Sequence, residues 1–214
     1  MNADLSVYLV TDSGAAARAG HDVVDVVRSA ASGVTAVQIR EKDATARGFL
    51  DTVQRISAVL PRDVAVIVND RVDVFLAARA AGARVTGVHI GQSDLPPGAV
   101  RALIGPDAVL GLSASTPAEL TAAAVTGVVD YVGIGALHTT STKRDAPPAL
   151  GHAAFARLVA ASPLPAVAIG GVTAADLPAL RRAGAAGAAV VSAICAADDP
   201  GRAARELRTL WDAS

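Results

Sequence analysis

Val34-Thr35-Ala36-Val37-Gln38-Ile39-Arg40 opens a stretch that continues through Phe49, Val53, Ile56 and Leu60 to Val64-Ala65-Val66-Ile67-Val68-Asn69. The two outer segments are short, apolar and rich in β-branched residues, which suits buried strands. Between them the apolar residues recur at i, i+4, i+7 and i+11, one face of a 3.6-residue period. The stretch therefore reads as β-α-β. Its strands run apolar without alternation, as expected when both faces of a parallel sheet are covered.

The same unit repeats in both directions. Strands are expected over residues 7–11, 34–40, 64–69, 87–90, 109–113, 131–134, 166–169 and 188–191. Helices are expected over 22–31, 72–81, 97–104, 118–125, 151–161 and 176–183, besides the one carrying Phe49 and a last one in which Ala203, Leu207, Leu210 and Trp211 share a face. Pro97 suits a first helical turn, and Ser115-Thr116-Pro117 is a helix-start signal. Ala31-Ser32-Gly33, Ala81-Gly82-Ala83 and Ala183-Gly184-Ala185 echo one another as αβ turns, where glycine caps a helix C-terminus. Eight units at roughly 25 residues each favour a closed (β/α)8 TIM barrel over an open doubly wound sheet. No linker divides the chain, so residues 1–214 are expected to form one domain.

Composition narrows the function. Hydrophobic residues make up 52% of the chain, ample for a large core, yet no apolar run approaches the roughly 18 residues that span a bilayer. The first residues, Met1-Asn2-Ala3-Asp4, show no secretory signal pattern. With Cys195 as the one cysteine, no intramolecular disulfide can form, which agrees with a cytoplasmic location. A formal net charge of -1 without a basic block, and 3% aromatics, speak against a nucleic-acid surface. Small-molecule substrates are the expected partners; a homo-oligomer is compatible with the sequence.

In a barrel the chemistry sits at the C-terminal ends of the strands, and there the polar residues gather. Strand two ends in Gln38, Arg40, Glu41 and Lys42; strand three in Asn69-Asp70-Arg71; strand four carries His89 and ends in Gly91-Gln92-Ser93-Asp94. Strand five ends in Ser113, strand seven in Gly170-Gly171, strand eight in Val191-Ser192. After strand six comes His138-Thr139-Thr140-Ser141-Thr142-Lys143, whose hydroxyls, backbone N–H groups and ammonium form a donor surface suited to phosphate. Of 19 Lys+Arg only Lys42 and Lys143 are lysines, and both follow strand-like runs.

Asp70 and Asp94 end consecutive strands, and neighbouring strands lie about 4.8 Å apart. Two carboxylates that close repel unless a cation lies between them, and Mg2+ typically takes one or two carboxylates plus phosphate oxygens. Pairing with Arg40, Arg71 or Lys42 is the alternative. Asn69-Asp70-Arg71 also fits a helix cap, and His89 fits a hydrogen-bonded residue of the shell. His21 and His152 read as helix-start residues, His138 is open, and Cys195 reads as packing. No Cys/His cluster in the sequence suggests zinc.

These motifs, in this order, resemble the thiamine-phosphate synthase (thiamine-phosphate pyrophosphorylase) family. The resemblance runs from Tyr8-Leu9-Val10-Thr11-Asp12 to Ser192-Ala193-Ile194, through Gln38-Ile39-Arg40-Glu41-Lys42, Asn69-Asp70-Arg71, His89-Ile90-Gly91-Gln92-Ser93-Asp94, Thr140-Ser141-Thr142-Lys143 and Ile169-Gly170-Gly171. It implies a transferase that joins a hydroxymethylpyrimidine diphosphate to a thiazole phosphate with loss of pyrophosphate. It further implies Mg2+ on Asp70 and Asp94, and pyrophosphate held by Arg40, Lys42, Asn69 and Lys143. Gln38 and Ser113 would face the pyrimidine, and Thr140, Thr142, Gly171, Val191 and Ser192 the thiazole phosphate. Lys143, Ser113, Arg40 and Lys42 are the expected catalytic residues. Two alternatives are a thiazole tautomerase-like isomerase and a non-catalytic phosphate-binding barrel. One departure from the family pattern is His138-Thr139, where an aromatic-Pro pair is usual.

Overall fold

Alternate side chains of a strand point to opposite faces, and here both faces are buried. The computed structural model describes residues 3–140 and 148–213. Strand β1 (Val7–Val10) leads into helices α1 (Ser13–Arg18) and α2 (Val23–Ala30). Then β2 (Ala36–Ile39), α3 (Ala46–Val59), β3 (Ala65–Asn69), α4 (Val72–Ala80), β4 (Gly87–Ile90), α5 (Pro97–Ile104), β5 (Val109–Ser113) and α6 (Pro117–Val125) follow. The second half runs β6 (Tyr131–Ile134), α7 (Gly151–Ala161), β7 (Ala166–Ala168), α8 (Leu177–Arg182), β8 (Gly187–Val190), α9 (Ser192–Cys195) and α10 (Pro200–Asp212), with a 3-10 turn at Ala174–Asp176. All neighbouring strands are parallel, and β8 pairs back onto β1, so the barrel closes.

Leu9, Val37, Val66, Val88, Leu110, Val132, Ala168 and Val190 face outward and pack beneath the helices with Phe49, Phe75 and Phe155. Burial of each such side chain contributes about 1.5–3 kcal/mol. The intervening residues Tyr8, Val10, Ala36, Ala65, Ile67, Val109, Tyr131, Val167 and Ala189 fill the barrel interior as a separate cluster. Tyr8 stands in register with Ala36 on one side and Ala189 on the other, so small neighbours make room for its ring. Nearer the C-terminal ends, inward positions turn polar: Gln38, Asn69, His89 and Ser113.

Most differences from the expected elements are at boundaries, and three have physical content. Helix α1 was not expected, because six residues with three alanines carry no apolar period; Asp12 starts it by accepting from the Ala15 N–H at 2.7 Å. The buried stripe of α10 is Ala204, Leu207 and Trp211 rather than the set with Ala203 and Leu210, and Leu210 is 38% exposed. The expected helix over 176–183 begins as the 3-10 turn, capped by Thr173 and Asp176. Gly82 and Gly184 take the left-handed conformation expected of C-terminal caps. Gly33 serves otherwise: a Cβ there would lie 2.4 Å from the Ala204 backbone.

Gly111 stands in register between His89 and Tyr131. A Cβ added to it would lie 2.3 Å from Tyr131 Cζ and 2.4 Å from His89 Nδ1. Gly111→Ala is therefore expected to destabilise the fold by about 1–3 kcal/mol through overpacking, seen as a lower urea midpoint; an unchanged midpoint would show that the interior has slack.

Candidate active site

The floor of the barrel mouth is a chain of buried hydrogen bonds. Gln38 Nε2 donates to the Tyr8 hydroxyl at 2.9 Å, and that hydroxyl meets the Tyr131 hydroxyl at 2.9 Å. Tyr131 in turn meets His89 Nδ1 at 2.9 Å, and His89 Nε2 meets Ser113 Oγ at 3.0 Å. Burial pushes both phenol pKa values well up, so both tyrosines are neutral. With Gln38 donating to Tyr8, one polarity gives both phenol protons an acceptor: Tyr8 to Tyr131, Tyr131 to His89 Nδ1, with His89 Nε2–H donating to Ser113. This network was not legible beforehand, since Tyr8 and Tyr131 each sit inside an apolar strand.

Above the floor opens a cavity of about 530 Å3. Gln38, Arg40, Lys42, Asn69, Asp70, Asp94, Ser113, Thr140, Gly171, Val191 and Ser192 all line it, so one cavity brings together every expected site residue among the described ones. Thr142 and Lys143 lie outside the described residues. Additional lining residues are Gln92, which donates to the Ser113 carbonyl at 2.7 Å, and Ser115, Thr116 and Glu119 at the start of α6. Glu41 faces elsewhere: its carboxylate accepts from the Ser13 hydroxyl, and burial pushes its pKa up.

Asp70 has φ 59, the only non-glycine with positive φ among the described residues. That conformation costs of order 1–2 kcal/mol, and such strain concentrates at functional positions. Asp70 donates its N–H to the His89 carbonyl at 2.8 Å. Its carboxylate lies 3.5 Å from Lys42 Nζ. Burial and then the Asp94 charge push the Asp70 pKa up, against the pull of Lys42. Asp94 is itself fixed by the Gly91 N–H, donated to Oδ2 at 2.7 Å. Two hard carboxylates that line one cavity, the charge of one raising the pKa of the other, with a lysine beside Asp70, form a donor set that fits a hard divalent cation.

The histidines away from the floor have partners that the sequence did not show. His152, read as a helix-start residue, and His138, left open, both reach Asp176 Oδ1 through Nε2 at 2.8 Å. His21 bonds the Ala197 carbonyl at 3.1 Å. Cys195 is fully buried with its pKa pushed up to about 11 by burial, so its thiol is neutral packing.

The family model for thiamine monophosphate synthase matches residues 7–194 of this chain. The chain belongs to that family. It is 47% identical over 213 residues to a thiamine-phosphate synthase of Azorhizobium caulinodans, covering 99% of this chain and 97% of that one. It is 45% identical over 206 residues to the thiamine-phosphate synthase of Xanthobacter autotrophicus, covering 96% and 94%. The thiamine phosphate pyrophosphorylase of Pyrococcus furiosus superposes with a TM-score of 0.84 at 29% identity, over 99% of this chain and 97% of that one. A 3-hexulose-6-phosphate synthase at 21% identity and a TM-score of 0.71 shares the barrel fold. The family is one of transferases, as the resemblance of the motifs implied. No helix among the described residues is long and apolar enough to cross a membrane.

The floor network gives a direct test. Tyr8→Phe removes the acceptor of Gln38 and the partner of Tyr131, both inside the barrel. Leaving buried polar groups short of a partner costs about 1–3 kcal/mol. The urea midpoint should fall accordingly, and a variant as stable as wild type would show that the network contributes no net stability.

Proposed function

We propose that the cavity joins a hydroxymethylpyrimidine diphosphate to a thiazole phosphate, releasing pyrophosphate and forming thiamine phosphate. The placement of Asp70 and Asp94 on one cavity with Arg40, Lys42 and Asn69 carries this reading. A leaving pyrophosphate brings several negative charges to a place where two carboxylates already repel each other. Asp70 and Asp94 would hold Mg2+, which when bound reverses the local sign and acts as a Lewis acid on the leaving group. Their all-oxygen donor set favours Mg2+ over softer metals.

The remaining roles follow from charge and position. Arg40, Lys42 and Asn69 present donors beside the carboxylate pair and would hold the pyrophosphate, joined by Lys143. Gln38 and Ser113, oriented by the floor network, would face the aminopyrimidine. Thr140, Thr142, Gly171, Val191 and Ser192 would receive the thiazole phosphate, since glycine permits close backbone approach. The bond from the pyrimidine methylene to oxygen breaks with its electron pair leaving on pyrophosphate. The lone pair of the thiazole nitrogen then forms the new C–N bond. This balance needs no proton transfer, so the side chains serve by stabilising charge and by aligning the two substrates. The reading makes the protein a cytoplasmic enzyme of small-molecule substrates, with no nucleic acid or membrane as partner, and with residues 1–214 acting as one domain.

A two-substrate assay of pyrophosphate release tests it. Activity should vanish in excess chelator and return with Mg2+ and with Mn2+. Asp70→Asn and Asp94→Asn should each lower turnover and weaken the metal response without changing the circular dichroism. Lys143→Ala should lower turnover by roughly 10²–10³-fold, the loss typical of one lost charge-stabilising donor. Full-rate release in chelator would leave the aspartates as salt-bridge partners or caps. Absence of release with both substrates and Mg2+ would favour the tautomerase-like or non-catalytic alternatives.

A further inference from the structure

His138, His152 and Asp176 converge from three different parts of the chain. His138 lies in the loop after β6, His152 in the first turn of α7, and Asp176 in the 3-10 turn before α8. Their ligand atoms all lie within 4.8 Å of one another. The carboxylate is nearly buried, at 8% side-chain exposure, whereas the imidazoles are 40% and 43% exposed. Asp176 is divided between two tasks. Its Oδ2 accepts from the Thr173 N–H at 2.8 Å and the Thr173 hydroxyl at 2.9 Å, which fixes the plane of the carboxylate. Its Oδ1 is left to the two Nε2 atoms.

We propose that His138, His152 and Asp176 form a binding site for a divalent transition metal of the zinc class, distinct from the magnesium site proposed at Asp70 and Asp94. Two imidazoles and one carboxylate are a borderline-soft donor set, which selects zinc-like ions over Mg2+. Three protein ligands on a solvent-facing group leave the fourth tetrahedral position to water. Thr173 supplies the outer hydrogen bonds that orient a metal-bound carboxylate. At Zn–ligand bonds of 2.0–2.1 Å, tetrahedral ligands sit about 3.3 Å apart. Each imidazole, now 2.8 Å from Oδ1, needs to withdraw by about half an ångström, and the two ring nitrogens, within 4.8 Å of each other, need to come to the same spacing. A metal-bound imidazole of this kind presents the Nε2 lone pair to the ion and carries its proton on Nδ1. The half-exposed rings are free to make that adjustment.

The position gives the metal a consequence. The His138 N–H is donated to the Gly170 carbonyl at 2.9 Å, and a Cβ at Gly171 would lie 2.9 Å from the His138 Cβ. An ion here would tie the loop after β6 to α7 and to the loop after β7, stiffening the cavity wall that includes Gly170 and Gly171. The site stands independently of the synthase reaction assigned above.

Co2+ is the probe. Untagged, metal-stripped protein titrated with Co2+ in excess Mg2+ should develop intense visible bands of four-coordinate cobalt, saturating at one ion per chain. Added Zn2+ should bleach them stoichiometrically. The bands should be lost in His138→Gln/His152→Gln, two half-exposed positions whose replacement should leave the circular dichroism unchanged. Asp176→Asn, which keeps the shape of the cap, should lose them too. They should persist in Asp70→Asn/Asp94→Asn. Absence of four-coordinate bands in wild-type protein, or bands that survive in the double histidine variant, would overturn the proposal and leave the cluster as a hydrogen-bonded clasp.

Discussion

Two buried phenols meeting at 2.9 Å across the barrel interior hold the site together. Tyr8 comes from β1 and Tyr131 from β6, and their rings pack edge to face with centroids 6.2 Å apart. That contact spans the barrel and fills the interior beneath the cavity. It is possible only because Ala36, Ala189 and Gly111 surround the rings with small side chains. The hydroxyls must then be satisfied internally, and Gln38 and His89 satisfy them while reaching up to the cavity. Packing below and orientation above are therefore one constraint. The depth of the cavity and the direction of Gln38 and Ser113 follow from where two aromatic rings fit.

Charge is arranged on top of that floor with the opposite logic. Below, every polar group has a partner; no buried side-chain polar atom among the described residues lacks one. At the lip, Asp70 and Asp94 are set against each other, one of them in a left-handed conformation that a carboxylate residue seldom adopts. An arrangement that raises its own electrostatic energy makes sense where a cation and a polyanionic substrate complete it. The contrast with Asp176 is instructive. There the same residue type is surrounded by partners, and although burial raises its pKa the hydrogen bonds from His138 and Thr173 pull it below the usual carboxylate range.

Much of this could be read from the chain because a parallel barrel repeats its pattern locally. Apolar strand, polar end and amphipathic helix recur, and β4, β5, β6, α5 and α7 were expected with the bounds they have. Strand ends such as Asn69-Asp70 and Ser113 carry their polarity in sequence, so the cavity wall was legible before its shape. What was not legible depends on long-range meeting. Tyr8 and Tyr131 are 123 residues apart and look like core. His138 and His152 lie 38 and 24 residues from Asp176, and no spacing rule connects them. The departure at His138-Thr139 from the family's usual aromatic-Pro pair was the one signal that this corner is built differently. The stripe of α10 was misplaced because Ala203 and Ala204 are equally apolar, and only docking against the barrel chooses between them.

Asp70 and Asp94 are proposed to hold a divalent cation together with pyrophosphate. Equilibrium dialysis of Mn2+ in the presence of pyrophosphate, with wild-type protein and with Asp70→Asn/Asp94→Asn, measures this without relying on turnover. The account predicts one retained Mn2+ per wild-type chain, accompanied by pyrophosphate, and retention of neither by the variant. Equal retention of both by the two proteins would contradict it.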